Sequence, residues 1–228
     1  MSGHKEASPV NPLPPVVTIL FLAIAAPEVI FGLGAQGLIG GPEAIGWRLS
    51  AVQSYAFSGD IFDWMVTNGR WLPEHLLRFL TYPFVHDSFT SALFVAVFLL
   101  ALGKLVGETM GQVAVLVLFF GGAIFGALIY GLLLNDPTWI VGGFPAVYGL
   151  IGGYSFVMWV SLGARGEAQA RAFSLIAILL GIQLVWGIFF DIGNGWVADL
   201  AGFAFGFVAS ALLVPGGMAR LLAALRRD

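Results

Sequence analysis

A few side chains inside or beside the apolar stretches of this sequence are of the types that act as nucleophiles or bases. Ser88 and Ser91 lie on either side of His86, and Ser155 lies inside a long apolar stretch. A serine becomes a nucleophile when a base takes its proton and donors hold the developing oxyanion. One histidine between two serines is a weak signal for such a site. A serine such as Ser155 more often hydrogen-bonds its own backbone or a neighbouring helix, and we expect that role here.

Two carboxylates, Glu28 and Asp199, also lie within apolar stretches. An aspartic protease needs two facing carboxylates that share a proton. Acids inside a membrane also mark transport paths, so a small transporter that uses Glu28 and Asp199 is one hypothesis. Against it, the sequence lacks the paired repeats with broken helices that are typical of transporters. We expect Asp199 to be a structural residue, reached by water or hydrogen-bonded to Tyr148.

Composition limits which class of protein can hold these residues. Of 228 residues, 59% are hydrophobic and 10% are charged, and the formal net charge is −3. Such a chain cannot cover a water-facing surface and must use lipid as its solvent. There is no cysteine, which excludes disulfides and thiolate metal sites. Basic patches for nucleic acid are absent, and no cofactor or metal site is indicated.

The apolar runs predict an all-α membrane protein with six transmembrane helices. A span needs about 20 mostly apolar residues. Six stretches of the chain meet or nearly meet this length. They are residues 15–35, 79–103, 112–134, 143–162, 172–190 and 196–215. Residues 1–14 are then a polar N-terminal tail and residues 216–228 a basic C-terminal tail.

A long segment, residues 36–86, separates the first two spans. It mixes tryptophan, tyrosine and phenylalanine with scattered charges. Amphipathic aromatics of this kind settle at the membrane–water boundary. We therefore expect short helices lying in the interface and not a separate domain.

Basic residues predict the orientation of the bundle. With six spans, one side holds Lys5, Lys104, Arg165, Arg171, Arg220, Arg226 and Arg227. The other side holds Arg48, Arg70 and Arg78, with the turns around Asn135 and Asp191. By the positive-inside rule the first set is cytoplasmic, so both termini are expected in the cytoplasm.

Four stretches carry patterns that occur in one order in a known family. Residues 78–86 are similar to Trp-Arg-x-x-Thr-x-x-Phe-x-His, and residues 103–111, with Glu108, loosely follow a glycine–glutamate turn. Residues 142–154 are similar to Gly-x-Ser-Gly-x-x-Tyr-x-Leu-x-Gly-Tyr, and residues 198–206 to Ala-His-x-x-Gly-x-x-x-Gly. In this order the chain resembles the rhomboid family of intramembrane serine proteases. The resemblance implies a rhomboid-like bundle with a long interfacial first loop.

The departures from the family pattern fall on its catalytic positions. Phe144 occupies the place of the nucleophilic serine, and Pro145 that of the following glycine. Asp199 occupies the place of the general-base histidine. Ser91 and Val95 stand where the family has a histidine and an asparagine that help to hold the oxyanion. The retained positions are Arg78, His86, Gly142, Tyr148, Gly149, Gly202 and Gly206.

These substitutions predict a bundle that keeps its shape and loses its reaction. Phe144 has no lone pair with which to attack a carbonyl. Pro145 has no backbone N–H to offer an oxyanion, yet it is well tolerated in the first turn of a helix. The Gly202-x-x-x-Gly206 pattern and Gly149 favour close helix packing, within the bundle by default. We expect Phe144 to plug the vacated site.

The resemblance implies a non-catalytic rhomboid-like pseudoprotease that binds the transmembrane helices of partner proteins. It would serve as a scaffold, chaperone or accessory subunit of a membrane complex. Its expected contacts are integral membrane proteins and lipids, in the cytoplasmic (inner) membrane of a bacterium. One alternative is a protease with altered machinery that uses Ser91, Ser155 or Asp199, and the other is the transporter described above.

Overall fold

The computed structural model describes residues 12–134, 136–190 and 193–216. The first part comprises α1 (Pro15–Ala35), a 3₁₀ turn (Gly41–Gly46), α2 (Trp47–Tyr55), β1 (Phe57–Ser58), α3 (Gly59–Asn68), α4 (Pro73–Leu76), α5 (Arg78–Thr81) and a second 3₁₀ turn (Tyr82–Phe84). There follow α6 (Phe89–Met110), α7 (Gln112–Leu133), β2 (Trp139–Ile140), α8 (Phe144–Ala164), a third 3₁₀ turn (Gln169–Phe173), α9 (Ser174–Phe189) and α10 (Trp196–Leu213).

Six helical segments in these ranges are long and apolar enough to cross a membrane. They are α1, α6, α7, α8, α9 with its preceding 3₁₀ turn, and α10. In lipid a helix satisfies all of its backbone groups internally, so apolar runs of this length form helices. The predicted fold class, an all-α protein with six candidate spans, is confirmed.

The predicted boundaries of the second span are wrong at both ends. Residues 79–81 belong to the separate short helix α5, and α6 begins only at Phe89. Pro83 lies in a 3₁₀ turn and Val85 is extended, so one continuous helix is broken there. Ser88 is also extended, and its Oγ accepts the N–H of Ser91 at 3.2 Å, which starts α6.

The end of α6 also differs from the glycine–glutamate turn predicted over residues 103–111. The chain stays helical through Gly103 and Gly107 as far as Met110. The turn is made by Gly111 alone, whose φ of +94° suits glycine. The other five helices agree with the predicted spans within two residues at each end, and a 3₁₀ turn precedes α9.

The centre of the bundle is formed by α7, α8 and α10, whose backbones approach closely at glycines. A Cβ on Gly149 would collide with the carbonyl oxygen of Leu118 in α7. A Cβ on Gly206 would collide with the carbonyl oxygen of Gly149, and one on Gly202 with that of Pro145. The retained glycines thus lie where helices pack without intervening side chains.

The long first loop consists of short helices, as predicted. Some of its aromatic side chains are also buried against the bundle. Phe57 and Phe62 are buried and pack against Phe79, with ring centroids 4.7 and 5.9 Å from it. In a pairing that was not predicted, β1 joins β2 antiparallel, with Phe57 opposite Ile140. The loop is thereby joined to the segment that leads into α8.

Several predictions fall on residues outside the described ranges. These are the orientation residues Lys5, Arg220, Arg226 and Arg227, the turn residues Asn135 and Asp191, and most of both predicted tails.

Candidate functional site

The segment before α8 is held by hydrogen bonds from the loop that precedes α6. The N–H of Gly142 donates to the carbonyl of Tyr82 at 3.1 Å. The N–H of Gly143 donates to His86 Nε2 at 3.3 Å. Gly142 has a φ of +88°, in the left-handed region that favours glycine. This explains why a glycine stands at position 142 whether or not chemistry follows.

A cavity of about 180 Å³ lies at the start of α8. Phe144 and Pro145 form one wall, and Asp199 at the start of α10 forms another. Asp87, Tyr130, Thr138, Trp139, Ile140, Val141, Gly193, Asn194 and Gly195 complete the lining. The structure thus brings together the predicted site residues of α8 and α10. Phe144 is half-buried and lines this cavity without filling it, while Pro145 is buried.

Asp199 is buried, and its hydrogen-bond partner is one that sequence reasoning missed. Its Oδ2 accepts a hydrogen bond from Nε2 of Gln183 in α9 at 2.9 Å. Tyr148 is near enough to interact electrostatically, but no hydrogen bond joins the two side chains within the described ranges. The expected bond to Tyr148 is therefore replaced by one to Gln183, sixteen positions earlier on another helix.

His86 is completely buried and acts as a hydrogen-bond acceptor at Nε2. Burial, opposed by the nearby Asp87 and assisted by Arg48, lowers its pKa from 6.5 to about 4. The ring is therefore neutral at pH 7, with its proton on Nδ1. Because the Nε2 lone pair is engaged by Gly143, His86 is not free to serve as a base.

Ser91 and Val95 lie beside the same segment. A Cβ built on Gly142 would lie 3.5 Å from His86 Nε2 and 3.6 Å from Ser91 Oγ. A Cβ built on Gly143 would lie 2.8 Å from Val95 Cγ1. These two α6 residues therefore flank the segment that leads into α8, and the Val95 side chain offers no hydrogen-bond donor. Among the described residues, no hydrogen bond joins Ser91 Oγ to His86.

The buried acid of α1 is paired, which the sequence did not indicate. Arg48 NH1 and NH2 each lie 2.8 Å from a carboxylate oxygen of Glu28. Arg48 NH1 also donates to the carbonyl of His86 at 2.9 Å, and the guanidinium lies 5.3 Å from the ring centre of Phe31. Polar contacts thus run from α1 through Arg48 and His86 to Gly143. A cation is one group that stabilises a buried acid, and Arg48 is the first arginine after Glu28 in the sequence.

The other retained polar motif residue, Arg78, anchors the first loop. Its NH1 donates to the carbonyl of Ala56 at 3.0 Å. Nearby, Thr81 Oγ1 donates to the carbonyl of Tyr55 at 3.1 Å. The buried Tyr82 hydroxyl donates to the carbonyl of Ala123 at 2.8 Å. These contacts are structural and place no reactive group in the cavity.

Ser155 is fully buried within α8, and its Oγ has no hydrogen-bond partner among the described residues. The expectation that it bonds a backbone or a neighbouring helix is therefore not met. It lies eleven residues beyond Phe144, or about 16 Å along the helix. It is thus remote from the cavity and from His86, which contacts the start of α8.

At the start of α8 the cavity presents the phenyl ring of Phe144. A nucleophile needs a hydroxyl or thiol against a free base, and the α8 position offers a phenyl ring. The second carboxylate of the cavity, Asp87, accepts a hydrogen bond from Ser88 Oγ at 3.1 Å. Within the described ranges, no group of three histidine, cysteine, aspartate or glutamate residues is arranged to hold a metal ion.

Comparison with known proteins agrees with the geometry of the bundle. A family model described as the Rhomboid domain matches residues 73–216, which span the segment from α4 to α10. No curated protein matches the chain. The matched segment contains the α8 and α10 positions of the cavity, Phe144 and Asp199. It covers more than half of the sequence, and the chain therefore belongs to the rhomboid family.

Proposed function

We propose that this protein is a catalytically inactive rhomboid that binds the transmembrane helices of partner proteins. The observation that carries the proposal is Phe144, which stands at the start of α8 where the family has its serine. A phenyl ring can neither attack a carbonyl nor transfer a proton. Because loss of one oxyanion donor alone typically slows such enzymes about 10²–10³-fold, the combined loss of nucleophile, base and donors removes the reaction.

The neighbouring residues support the same conclusion. Pro145 has no N–H, and Val95 has no donor to replace the family's asparagine. Asp199 accepts a hydrogen bond from Gln183, and the described residues that line its cavity include no serine for it to deprotonate. Each of these residues is compatible with packing, so the fold persists without the chemistry.

The exposure of α9 supports a role in binding. Only 11% of the most apolar window of this span is buried, against 56% for α8. Its exposed surface includes Ile178, Ile182, Leu184, Val185, Trp186, Ile188 and Phe189. A partner helix can pack against such a surface without disturbing the central helices.

The partners are integral membrane proteins, and the protein acts as a scaffold, chaperone or accessory subunit of a membrane complex. We place it in a bacterial inner membrane with both termini in the cytoplasm.

The proposal is tested by proteolysis and binding in the same liposomes. The purified protein is reconstituted with a fluorescent transmembrane reporter peptide that carries a helix-destabilising segment. We expect no cleavage over a day, together with energy transfer from the peptide to the protein. Cleavage that is lost in Asp199→Ala would overturn the assignment as an inactive rhomboid. Energy transfer equal to that of a peptide-only control would remove the binding role.

A protease with altered machinery is the second candidate, because Ser91 Oγ and His86 Nε2 both lie close to Gly142. Against it, His86 Nε2 is occupied by the N–H of Gly143, and a pKa lowered to about 4 by burial makes the ring a weak base. If cleavage is seen, Ser91→Ala and Ser155→Ala identify which hydroxyl carries it. The transporter hypothesis is weakened, because Arg48 compensates the charge of Glu28.

A further inference from the structure

The cavity at the start of α8 and α10 combines acidic side chains with aromatic rings. Its acids are Asp87 and Asp199, and its aromatic residues are Tyr130, Trp139 and Phe144. Among the described residues that line it there is no lysine, arginine or histidine. Its volume of about 180 Å³ is many times the space, on the order of 10 Å³, that one water molecule needs. A small organic group therefore fits beside the two acids.

Asp199 leaves one carboxylate oxygen open to this cavity. The residue is 5% exposed, and its Oδ2 accepts the hydrogen bond from Gln183. Its Oδ1 has no hydrogen-bond partner among the described residues, yet it is not one of the side-chain atoms that the fold covers completely. Because Asp199 lines the cavity, Oδ1 can be reached by a donor that enters there.

The two buried acids of the described residues differ in their partners. Glu28 is 5% exposed, like Asp199, and it forms an ion pair with Arg48 at 2.8 Å. Asp199 has no ion pair within the described ranges, and its one hydrogen bond there comes from a neutral amide. A carboxylate held away from water is stabilised by a cation that also donates hydrogen bonds. The cavity is the place from which such a group can reach Asp199.

The lining favours an organic cation over a metal ion. A calcium ion needs about six to eight oxygen ligands, and no group of three acid or histidine side chains within the described ranges is arranged to begin such a shell. Aromatic rings attract ammonium groups through their faces and also pack against alkyl chains. A primary ammonium group carries three N–H donors, one of which can bond Asp199 Oδ1.

We propose that this cavity binds a primary ammonium group, with Asp199 Oδ1 as its acceptor and with Phe144 and Trp139 along its alkyl stem. The group belongs either to a free alkylamine or to the ethanolamine headgroup of a lipid. Asp87 is exposed, and its negative charge attracts the cation to the cavity. The inference goes beyond the proposed function, because it concerns the cavity and not the exposed surface of α9.

The position of the cavity along the spans suits either source. Phe144 is the first residue of α8, and Asp199 is the fourth residue of α10. Both residues therefore lie within the first turn or so of a span, at the end where lipid headgroups and dissolved amines are within reach.

The test measures the binding of butylammonium to the purified protein in a neutral detergent that contains no amine. Saturation-transfer NMR compares it with butanol, which has the same chain length and no charge. We expect butylammonium to bind about ten- to a hundredfold more tightly than butanol, because a hydrogen bond between charged groups is the stronger one.

Asp199→Asn removes the charge and keeps an oxygen that can accept the N–H of Gln183. We expect this variant to bind butylammonium about tenfold or more weakly and to bind butanol as before. The matched control is Glu43→Gln, which removes an exposed acid that does not line the cavity and should leave both affinities unchanged. If Asp199→Asn does not fold, Phe144→Leu takes its place, with an expected loss of about two- to fivefold for butylammonium alone.

Nanodiscs of phosphatidylcholine, with or without added phosphatidylethanolamine, distinguish the two sources. The two lipids carry the same net charge, so butylammonium reaches the same concentration at both surfaces. Weaker apparent binding in the presence of phosphatidylethanolamine identifies the lipid headgroup as a competitor for the cavity. Equal binding in both kinds of nanodisc identifies a free amine as the ligand.

Four results would overturn this inference. Equal binding of butylammonium and butanol means that the cavity does not recognise charge. A preference for butylammonium that survives Asp199→Asn means that another group, such as Asp87, holds the amine. Displacement of butylammonium by sodium at an equal concentration means that the site takes inorganic cations. The absence of saturation transfer to either compound means that the cavity does not bind a small amine.

Discussion

Arg48 reaches from the first loop to Glu28 in α1 and forms two hydrogen bonds of 2.8 Å with its carboxylate. The carboxylate is 4% exposed and the guanidinium 26% exposed, so the acid is shielded from water while the arginine is partly exposed. The same guanidinium holds the carbonyl of His86, whose ring in turn accepts the N–H of Gly143. Arg48 thus links the first loop, the first span and the start of α8.

Removing that arginine leaves a buried acid without its cation. We expect Arg48→Met to lower the free energy of unfolding by about 3 kcal/mol, the lower end of the range for broken buried pairs, because Arg48 is partly exposed. The measurement is thermal or denaturant unfolding in mild detergent. The double variant Glu28→Gln/Arg48→Met is expected to recover part of the loss. A stability of Arg48→Met equal to that of the natural protein would show that the pair has no structural role.

The burial of His86 predicts a pH dependence of stability. Its folded pKa of about 4 lies below the ordinary value of 6.5, so the unfolded chain binds more protons between these values. Stability therefore rises with pH across this window and is lost as the pH falls from about 6.5 toward 4. The total change is on the order of 3 kcal/mol.

Comparison with His86→Gln isolates this contribution. A glutamine carbonyl oxygen can accept the N–H of Gly143, and it does not titrate in this range. We expect the unfolding temperature of His86→Gln to fall less than that of the natural protein between about pH 7 and pH 4.5. Parallel curves for the two proteins would mean that the histidine titrates normally.

Restoring the serine alone is not expected to restore proteolysis. Phe144→Ser supplies a hydroxyl, but Asp199 is bonded to Gln183, His86 Nε2 is engaged by Gly143, and Val95 offers no donor. We expect no cleavage of a transmembrane reporter in liposomes by this variant. The matched control is Phe144→Ala, and any cleavage by Phe144→Ser that exceeds it would show that a working base remains.

The glycine contact between α8 and α10 predicts a steric effect of one methyl group. A Cβ on Gly206 would collide with the carbonyl oxygen of Gly149, so Gly206→Ala should destabilise the protein by about 1–3 kcal/mol. Gly181 in α9 is the control, because a Cβ there meets nothing within 4 Å. We expect Gly181→Ala to leave stability unchanged or raise it by up to about 1 kcal/mol. The measurement is thermal unfolding in detergent, and equal effects would contradict the close contact.

Much of the fold follows from local features of the sequence. Lipid requires about 20 apolar residues per span, so the number of spans follows from hydropathy alone. The order of the motifs predicted the rhomboid family, and the family match over residues 73–216 confirmed it. The boundaries of the second span were harder to predict from sequence, since Pro83 and the extended Ser88 interrupt a run that is apolar on both sides.

The tertiary structure decided which polar groups meet. Sequence identified Glu28 and Asp199 as costly buried acids, but their partners, Arg48 and Gln183, lie on other elements. Apolar patterning sets which segments enter the membrane, whereas the rotation of each helix and the path of the first loop depend on packing. The glycine contacts of α7, α8 and α10 set that packing. The sequence by itself thus determined the spans and pointed to Phe144 and Asp199, and only the folded bundle showed Gln183 bonded to Asp199.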